Sequence, residues 1–199
     1  MTENKVTGKR ELILQAALKV FSDRGFHKAK IEEIAQEAGV GKGTVYEYFT
    51  SKKQLFQEML KDRIETFNEH IKDAVEKEKS TRGKLLCIIK ESIIVGRHFR
   101  HLNKMALLET TLIDESFRHW LLDMHAYRLS AIGEILQEGI DKGELKPLNV
   151  SLFARLFYGG LGTLVSPIAG MDMTQIDVDK TAGEIVDLYL QGVAQTQVT

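Results

Sequence analysis

The residues of this chain best suited to act on a partner lie between Lys30 and Lys52. Lys42, Gly43, Thr44, Tyr46 and Tyr48 follow one another closely, with Gly41 just before them. A lysine can meet a phosphate or a base edge, a small hydroxyl can donate and accept, and a phenol can donate to a phosphate oxygen. Glycine adds room for a backbone to approach closely. Such groups recognise an anionic polymer and transfer nothing. The chain lacks a P-loop, a G-x-S-x-G elbow and a Rossmann glycine fingerprint after a strand; the GGLG run at 159–162 sits inside a helical pattern. No enzyme is expected.

Two short helices must hold those groups. Ile31, Ile34, Ala35 and Ala38 recur at helical spacing while Glu32, Glu33, Gln36 and Glu37 face water. Gly39 and Gly41 flank Val40, which predicts a sharp corner built on positive φ angles. Val45 and Phe49 then anchor one face of Lys42 to Phe49, which leaves the recognition groups on the other. That is a helix-turn-helix, whose second helix can enter the major groove. Ser51 reads as an N-cap with Gln54 as its partner, so a new helix opens at Lys52. Lys52 and Lys53 in its first turn oppose the helix dipole unless a phosphate lies against them.

The string IAQEAGVGKGTVYEYFTSKKQLF resembles the DNA-binding core of TetR-type (tetracycline-repressor-like) transcriptional regulators, which carry IA, AGV, KG, Y-x-YF and SK at this spacing. The upstream run ILQAALKVFSDRGF is similar to that family's first helix and glycine stop. The chain departs from the pattern at Lys30 and Gly41, where the family usually has Ser or Thr and Ser. The resemblance implies an all-α fold of about nine helices. A three-helix helix-turn-helix DNA-binding domain would occupy residues 1–51, and a helical ligand-binding and dimerisation domain residues 52–199. It also implies DNA contacts from Lys30, Gly41, Lys42, Gly43, Thr44, Tyr46, Tyr48 and Lys52.

Composition is that of an ordinary globular protein, with 43% hydrophobic and 28% charged residues. No apolar run is long enough to span a bilayer and no charged-then-apolar leader follows Met1, so no membrane partner and a cytoplasmic location are expected. A single cysteine, Cys87, rules out an internal disulfide. The net charge of -1 is unevenly spread: ten Lys and Arg face seven Asp and Glu through Leu55, and the remainder is net acidic. The basic excess sits with the motif.

Leu12, Ile13, Ala16, Ala17, Val20 and Phe21 predict a supporting first helix, closed by Arg24 and Gly25. A long helix from Lys52 to about Lys79, with Phe56, Leu60, Ile64, Phe67, Ile71 and Val75 down one side, is long enough to serve both halves as a lever. Beyond Ser80, an apolar helix over 85–95 is expected to break at Gly96, a short one to span 100–112, and a long one to follow Asp114 up to Gly143.

Met105, Leu108, Glu109, Phe117, Trp120, Met124 and Tyr127 in these helices are the candidates to line an effector site, since Met and aromatic side chains adapt to apolar ligands. Arg128 lies among them. The apolar interior suggests a lipophilic or amphipathic small molecule, and the layout is loosely similar to acyl-CoA-responsive members of the family; no cofactor is expected. His98, His101, His119 and His125 lack metal-ligand spacing, and Cys87 reads as packing. In the last two helices, over 150–168 and 178–193, Leu152, Leu156, Gly159, Gly160, Thr163, Ile185 and Tyr189 form the candidate interface of a homodimer, an architecture carried by the family. The expected function is a ligand-responsive regulator, a repressor released from a palindromic double-stranded operator by its effector. The alternative is a helical small-molecule-binding module whose helix-turn-helix serves a structural or protein-partner role.

Overall fold

The computed structural model describes residues 8–99, 110–166 and 175–191. Over these residues the chain is all-α: α1 (Lys9–Lys28), α2 (Ile31–Glu37), α3 (Lys42–Tyr48), α4 (Lys52–Glu76), α5 (Thr81–His98), a 3-10 turn (Thr110–Leu112), α6 (Glu115–Asp141), α7 (Val150–Leu164) and α8 (Val178–Gln191). The described residues fall into two compact units, 8–67 with 110–114, and 68–99 with 115–166 and 175–191. α4 contributes to both. The short helix expected over 100–112 lies outside the described residues except for its end, which is the 3-10 turn.

In the first unit, α1 buries Ile13, Ala16, Ala17, Val20 and Phe21, as its spacing predicts, with Leu14 buried in place of Leu12, which is 38% exposed. The regular helix closes at Gly25, as the sequence predicts, and one further turn beyond it runs to Lys28. That glycine takes φ +74° and the chain kinks through it into a last turn, which turns Phe26 against Phe21 and Phe56 at ring separations of 5.8 and 5.4 Å. Ile31, Ile34 and Ala35 of α2, Val45 of α3 and Phe49 at its C-cap complete this core with Leu55, Phe56, Met59 and Leu60 of α4. Each large side chain so buried contributes about 1.5–3 kcal/mol. The end of the 3-10 turn belongs here too: Leu112 is buried, and Gln57 Nε2 donates to its carbonyl at 2.7 Å.

The second unit is a packed helical layer. Leu85, Ile89 and Ile93 of α5, Ile132 and Leu136 of α6, Phe157 and Leu161 of α7, and Ala182 and Val186 of α8 share one core. Ser80 Oγ caps α5 by accepting from Gly83 N–H, and Asn149 Oδ1 caps α7 by accepting from Leu152 N–H, both at 3.0 Å. α5 runs straight through Gly96 to His98. Glycine costs about 1 kcal/mol inside a helix; here the missing side chain lets Val165 come close, so packing offsets that cost.

Candidate functional site

The corner between α2 and α3 uses one glycine for each of two jobs. Gly39 takes φ +68° and turns the chain. Gly41, at φ -72° and ψ 151°, instead stands extended as the N-cap of α3, without a side chain to cap it. Val45 and Phe49 are fully buried behind this helix, while Tyr46 and Tyr48 remain 46% and 44% exposed. Lys30, Gly41, Lys42 and Gly43 are exposed and Thr44 is half-buried, so these candidates, like the two phenols, are open to a partner. Lys30 precedes α2 and donates its backbone N–H to Glu33 Oε2 at 3.1 Å; its side chain is a cation and can accept nothing.

Lys42 is held in place before any partner arrives. Its ammonium lies 2.6 Å from Glu32 Oε1 on α2 and 5.8 Å from the centroid of the Tyr46 ring. The hydrogen bond to Glu32, more than its charge, raises the Lys42 pKa, and the same bond lowers that of Glu32. Both groups are open to solvent, where such a pair contributes little and exchanges easily for another acceptor. Glu37 and Glu33 hold Lys19 and Arg24 of α1 in the same manner, at 2.7 and 3.2 Å. Thus α2, a helix of three glutamates, links its two neighbours by charge.

Lys52 is placed otherwise than its sequence position suggests. Its Nζ turns inward and donates to the carbonyls of Phe26, Ala29 and His27 at 2.8, 3.0 and 3.3 Å, over the Phe26 ring. The end of α1 leaves those carbonyls without helical partners, and a cation there also meets the negative pole of the dipole. Ser51 Oγ accepts from Gln54 N–H at 3.0 Å, as an N-cap should, while Gln54 Oε1 reaches back one residue further, to Thr50 N–H at 2.6 Å.

In the second unit, Phe117, Trp120 and Met124 line one side of the first half of α6. Phe117 is buried and stacks on Trp120 at 5.7 Å. Tyr127, further along the same helix, is 47% exposed. Met105, Leu108 and Glu109, like His101, lie outside the described residues. A polar node not legible in the sequence adjoins this face: Arg128 Nε donates to Asn68 Oδ1 at 2.9 Å and Nη1 to Tyr158 Oη at 3.2 Å, and Asn68 Nδ2 approaches Met124 Sδ at 3.8 Å. The node joins the second half of α4 to α6 and α7. An open groove of about 490 Å³ also lies between α6 and α7, lined by Leu129, Gly133, Val150 and Ala154 with Glu134 and Arg155 among its polar residues. Among the described residues no cluster of His, Cys, Asp or Glu could hold a metal ion, and no helix is long and apolar enough to cross a membrane.

The candidate interface residues divide by side. Leu152 and Leu156 on α7 are 54% and 59% exposed, and Gly159 and Thr163 continue their stripe. Leu188 on α8, which the sequence reading passes over, is 71% exposed. Gly160 and Tyr189 meet within the chain. Tyr189 Oη donates to Leu156 O at 3.0 Å, its ring packs edge-on against Phe153 and Phe157, and a Cβ at position 160 would run into that hydroxyl. Ile185 is half-buried against the core.

Comparison with known proteins bears on both units. Residues 13–59 match the family model described as bacterial regulatory proteins of the tetR family, and residues 60–192 match that of the YsiA-like protein C-terminal region. The fatty acid metabolism regulator protein of Bacillus subtilis is 26% identical over 184 residues, covering 91% of this chain and 93% of that protein. The transcriptional repressor KstR2 of Mycolicibacterium smegmatis is 27% identical, covering 98% of this chain and 96% of its own. The crystal structure of the regulator FadR from Bacillus subtilis in complex with stearoyl-CoA superposes with a TM-score of 0.74 at 25% identity, over 91% of this chain and 97% of that one. With a tetR-type reading head at its N-terminus and a YsiA-like region over most of the remainder, the chain belongs to the TetR family of ligand-responsive, helix-turn-helix transcriptional repressors.

Proposed function

We propose that this chain is a homodimeric repressor of the acyl-CoA-responsive kind, which holds a palindromic operator when empty and leaves it when a long-chain acyl-CoA thioester binds the second unit. The observation that carries the reading is the near full-length similarity to a fatty acid regulator and to FadR, whose crystal structure contains stearoyl-CoA. Division at about residue 51 gives a DNA-reading domain 1–51 and an effector and dimerisation domain 52–199. Lys42, Gly43 and Thr44 meet base edges, while Lys30, Tyr46, Tyr48 and the Gly41 backbone meet phosphates. Lys52 serves the same surface from behind, by fixing the end of α1 against the start of α4.

Phe117, Trp120 and Met124 face the acyl chain, with Met105, Leu108 and Glu109 preceding them in sequence and Tyr127 at the rim. Leu152, Leu156, Gly159 and Thr163, with Leu188, cover one another across the two-fold axis, and Gly160, Ile185 and Tyr189 support them from within each subunit. α4 spans 25 residues, about 37 Å, and carries effector occupancy toward the reading head. Release requires that the thioester bind the DNA-incompetent arrangement more tightly than the competent one. Repressor action places the protein in the cytoplasm, with DNA.

Fluorescence anisotropy with DNA from the region upstream of the gene, and random DNA beside it across a salt series, tests the regulator. Binding that favours the upstream DNA by about 10³ or more and weakens steeply with salt supports it. Equal, weak binding to both, before and after refolding to strip any retained ligand, overturns it.

A further inference from the structure

We infer that Gln57 is the positioning residue that ties α6 to the DNA-reading end of α4, so that displacement of α6 is felt at the reading head. The inference rests on the regulator reading above and assigns to one residue the coupling which that reading requires.

Gln57 is 7% exposed, and only Thr81 joins it as a buried polar residue among those described. Both hydrogens of its side-chain amide are used, by Leu112 O at 2.7 Å and Asp114 Oδ2 at 2.9 Å. One turn earlier on the same helix, Lys53 Nζ reaches Thr111 O at 2.9 Å. The segment 111–114 is thereby fastened to the first turns of α4 by its backbone as well as by a side chain.

The placement of this clamp gives it meaning. Within the described residues the chain passes between the two units at two points, along α4 after Phe67 and from Asp114 into Glu115. Gln57 bonds the second crossing to the helix that makes the first. Glu115 opens α6, which carries Phe117, Trp120 and Met124. A helix moves as a rod, so a shift in its first turn arrives at Asp114 undiminished. Without the Gln57 bonds that shift would be lost in a slack connection. With them it reaches α4 five residues, about 1.4 turns, beyond Lys52. An amide that only filled core space would be replaceable by an apolar residue of equal size; one that transmits would not.

The test uses Q57M, which keeps the volume and removes both donors, and D114N, which keeps an acceptor oxygen. Upstream-DNA affinity of the full chain is measured with and without stearoyl-CoA. In the wild type the thioester should weaken DNA binding by a factor within the usual range of about 5–150. Q57M should bring that factor below about a third of its wild-type value and D114N should retain it. A wild-type factor in Q57M overturns the inference, as does a loss that only follows lowered thermal stability.

Absence of any stearoyl-CoA effect in the wild type would instead refute the effector assignment. In that event, or if Q57M does not fold, hydrogen exchange decides without ligand or DNA. The mild substitution F117L should speed exchange of the 55–60 amides at least threefold while the 13–21 amides stay unchanged. Equal effects on both sets, or on neither, overturn the inference.

Discussion

Replacing Lys52 by methionine keeps the stem and removes the ammonium, which separates a structural role from a DNA contact. The wild-type ammonium donates to carbonyls at 2.8, 3.0 and 3.3 Å and lies 4.6 Å from the Phe26 centroid. A hydrogen bond from a charged donor contributes about 1.5–3 kcal/mol. The side chain is half-buried, so the lower end applies, and the 3.3 Å contact adds little. The cation over the ring adds about 0.5–1 kcal/mol. Two such hydrogen bonds at about 1.5 kcal/mol each and the ring contact together give a loss of about 3.5–4 kcal/mol for Lys52→Met, and a Tm lower by about 7–16 °C at this chain length.

Salt dependence supplies the second reading. Each phosphate neutralised contributes about 0.9 to the slope of log K against log salt. An ammonium already committed to three carbonyls contributes none, so the slope for upstream DNA should match the wild type. Thermal melts followed by circular dichroism, with anisotropy over a salt series, measure both quantities. An unchanged Tm together with a slope reduced by about 0.9 per subunit would refute the inward placement.

Three further outcomes are expected. Gly160→Ala should destabilise the chain by about 1–3 kcal/mol in urea melts, because a Cβ there meets Tyr189 Oη; Gly159→Ala, which meets nothing within the chain, should leave subunit packing intact and weaken the dimer in sedimentation. Glu32→Gln frees Lys42 and removes an anion from the reading face, so it should strengthen binding to random DNA more than to upstream DNA, and a preserved ratio of the two affinities would count against Glu32 as a determinant of selectivity. Glu138 is held at a pKa of about 2, against an ordinary 4.5, first by its bond from Lys142 and then by Lys84. A depressed carboxylate stabilises the fold above the unfolded value and ceases to do so as pH falls through the folded one. The stability advantage of wild type over Glu138→Gln should therefore narrow between pH 4.5 and pH 2 in acid titrations of unfolding.

Much of the reading head is legible in the sequence because helical spacing decides burial. Val45 and Phe49 stand four residues apart, a spacing that puts them on one face in a helical stretch, and both are buried. Spacing does not say which way a long flexible stem folds, and so the inward course of Lys52 is invisible before the end of α1 is in place. Glycine is equally ambiguous. At 39 it supplies a positive φ, at 41 an extended cap, and at 96 a close approach inside an unbroken helix, although all three look like breakers in the chain.

Gln57 is hidden for a related reason. A single amide among Leu55, Phe56, Met59 and Leu60 has no local partner, and its acceptors arrive from more than fifty residues away. Only the exposed Leu188 left a signal that the sequence could have yielded, an apolar residue on the side of its helix opposite Ala182 and Val186.

The most direct test of a repressor released by an acyl-CoA is the affinity of the purified full chain for its upstream DNA, measured by anisotropy with stearoyl-CoA, stearate or CoA alone. The account predicts that the thioester weakens binding by about 5–150-fold, that stearate and CoA do not, and that upstream DNA weakens stearoyl-CoA binding by the same factor. Upstream-DNA affinity unmoved by saturating stearoyl-CoA would contradict it.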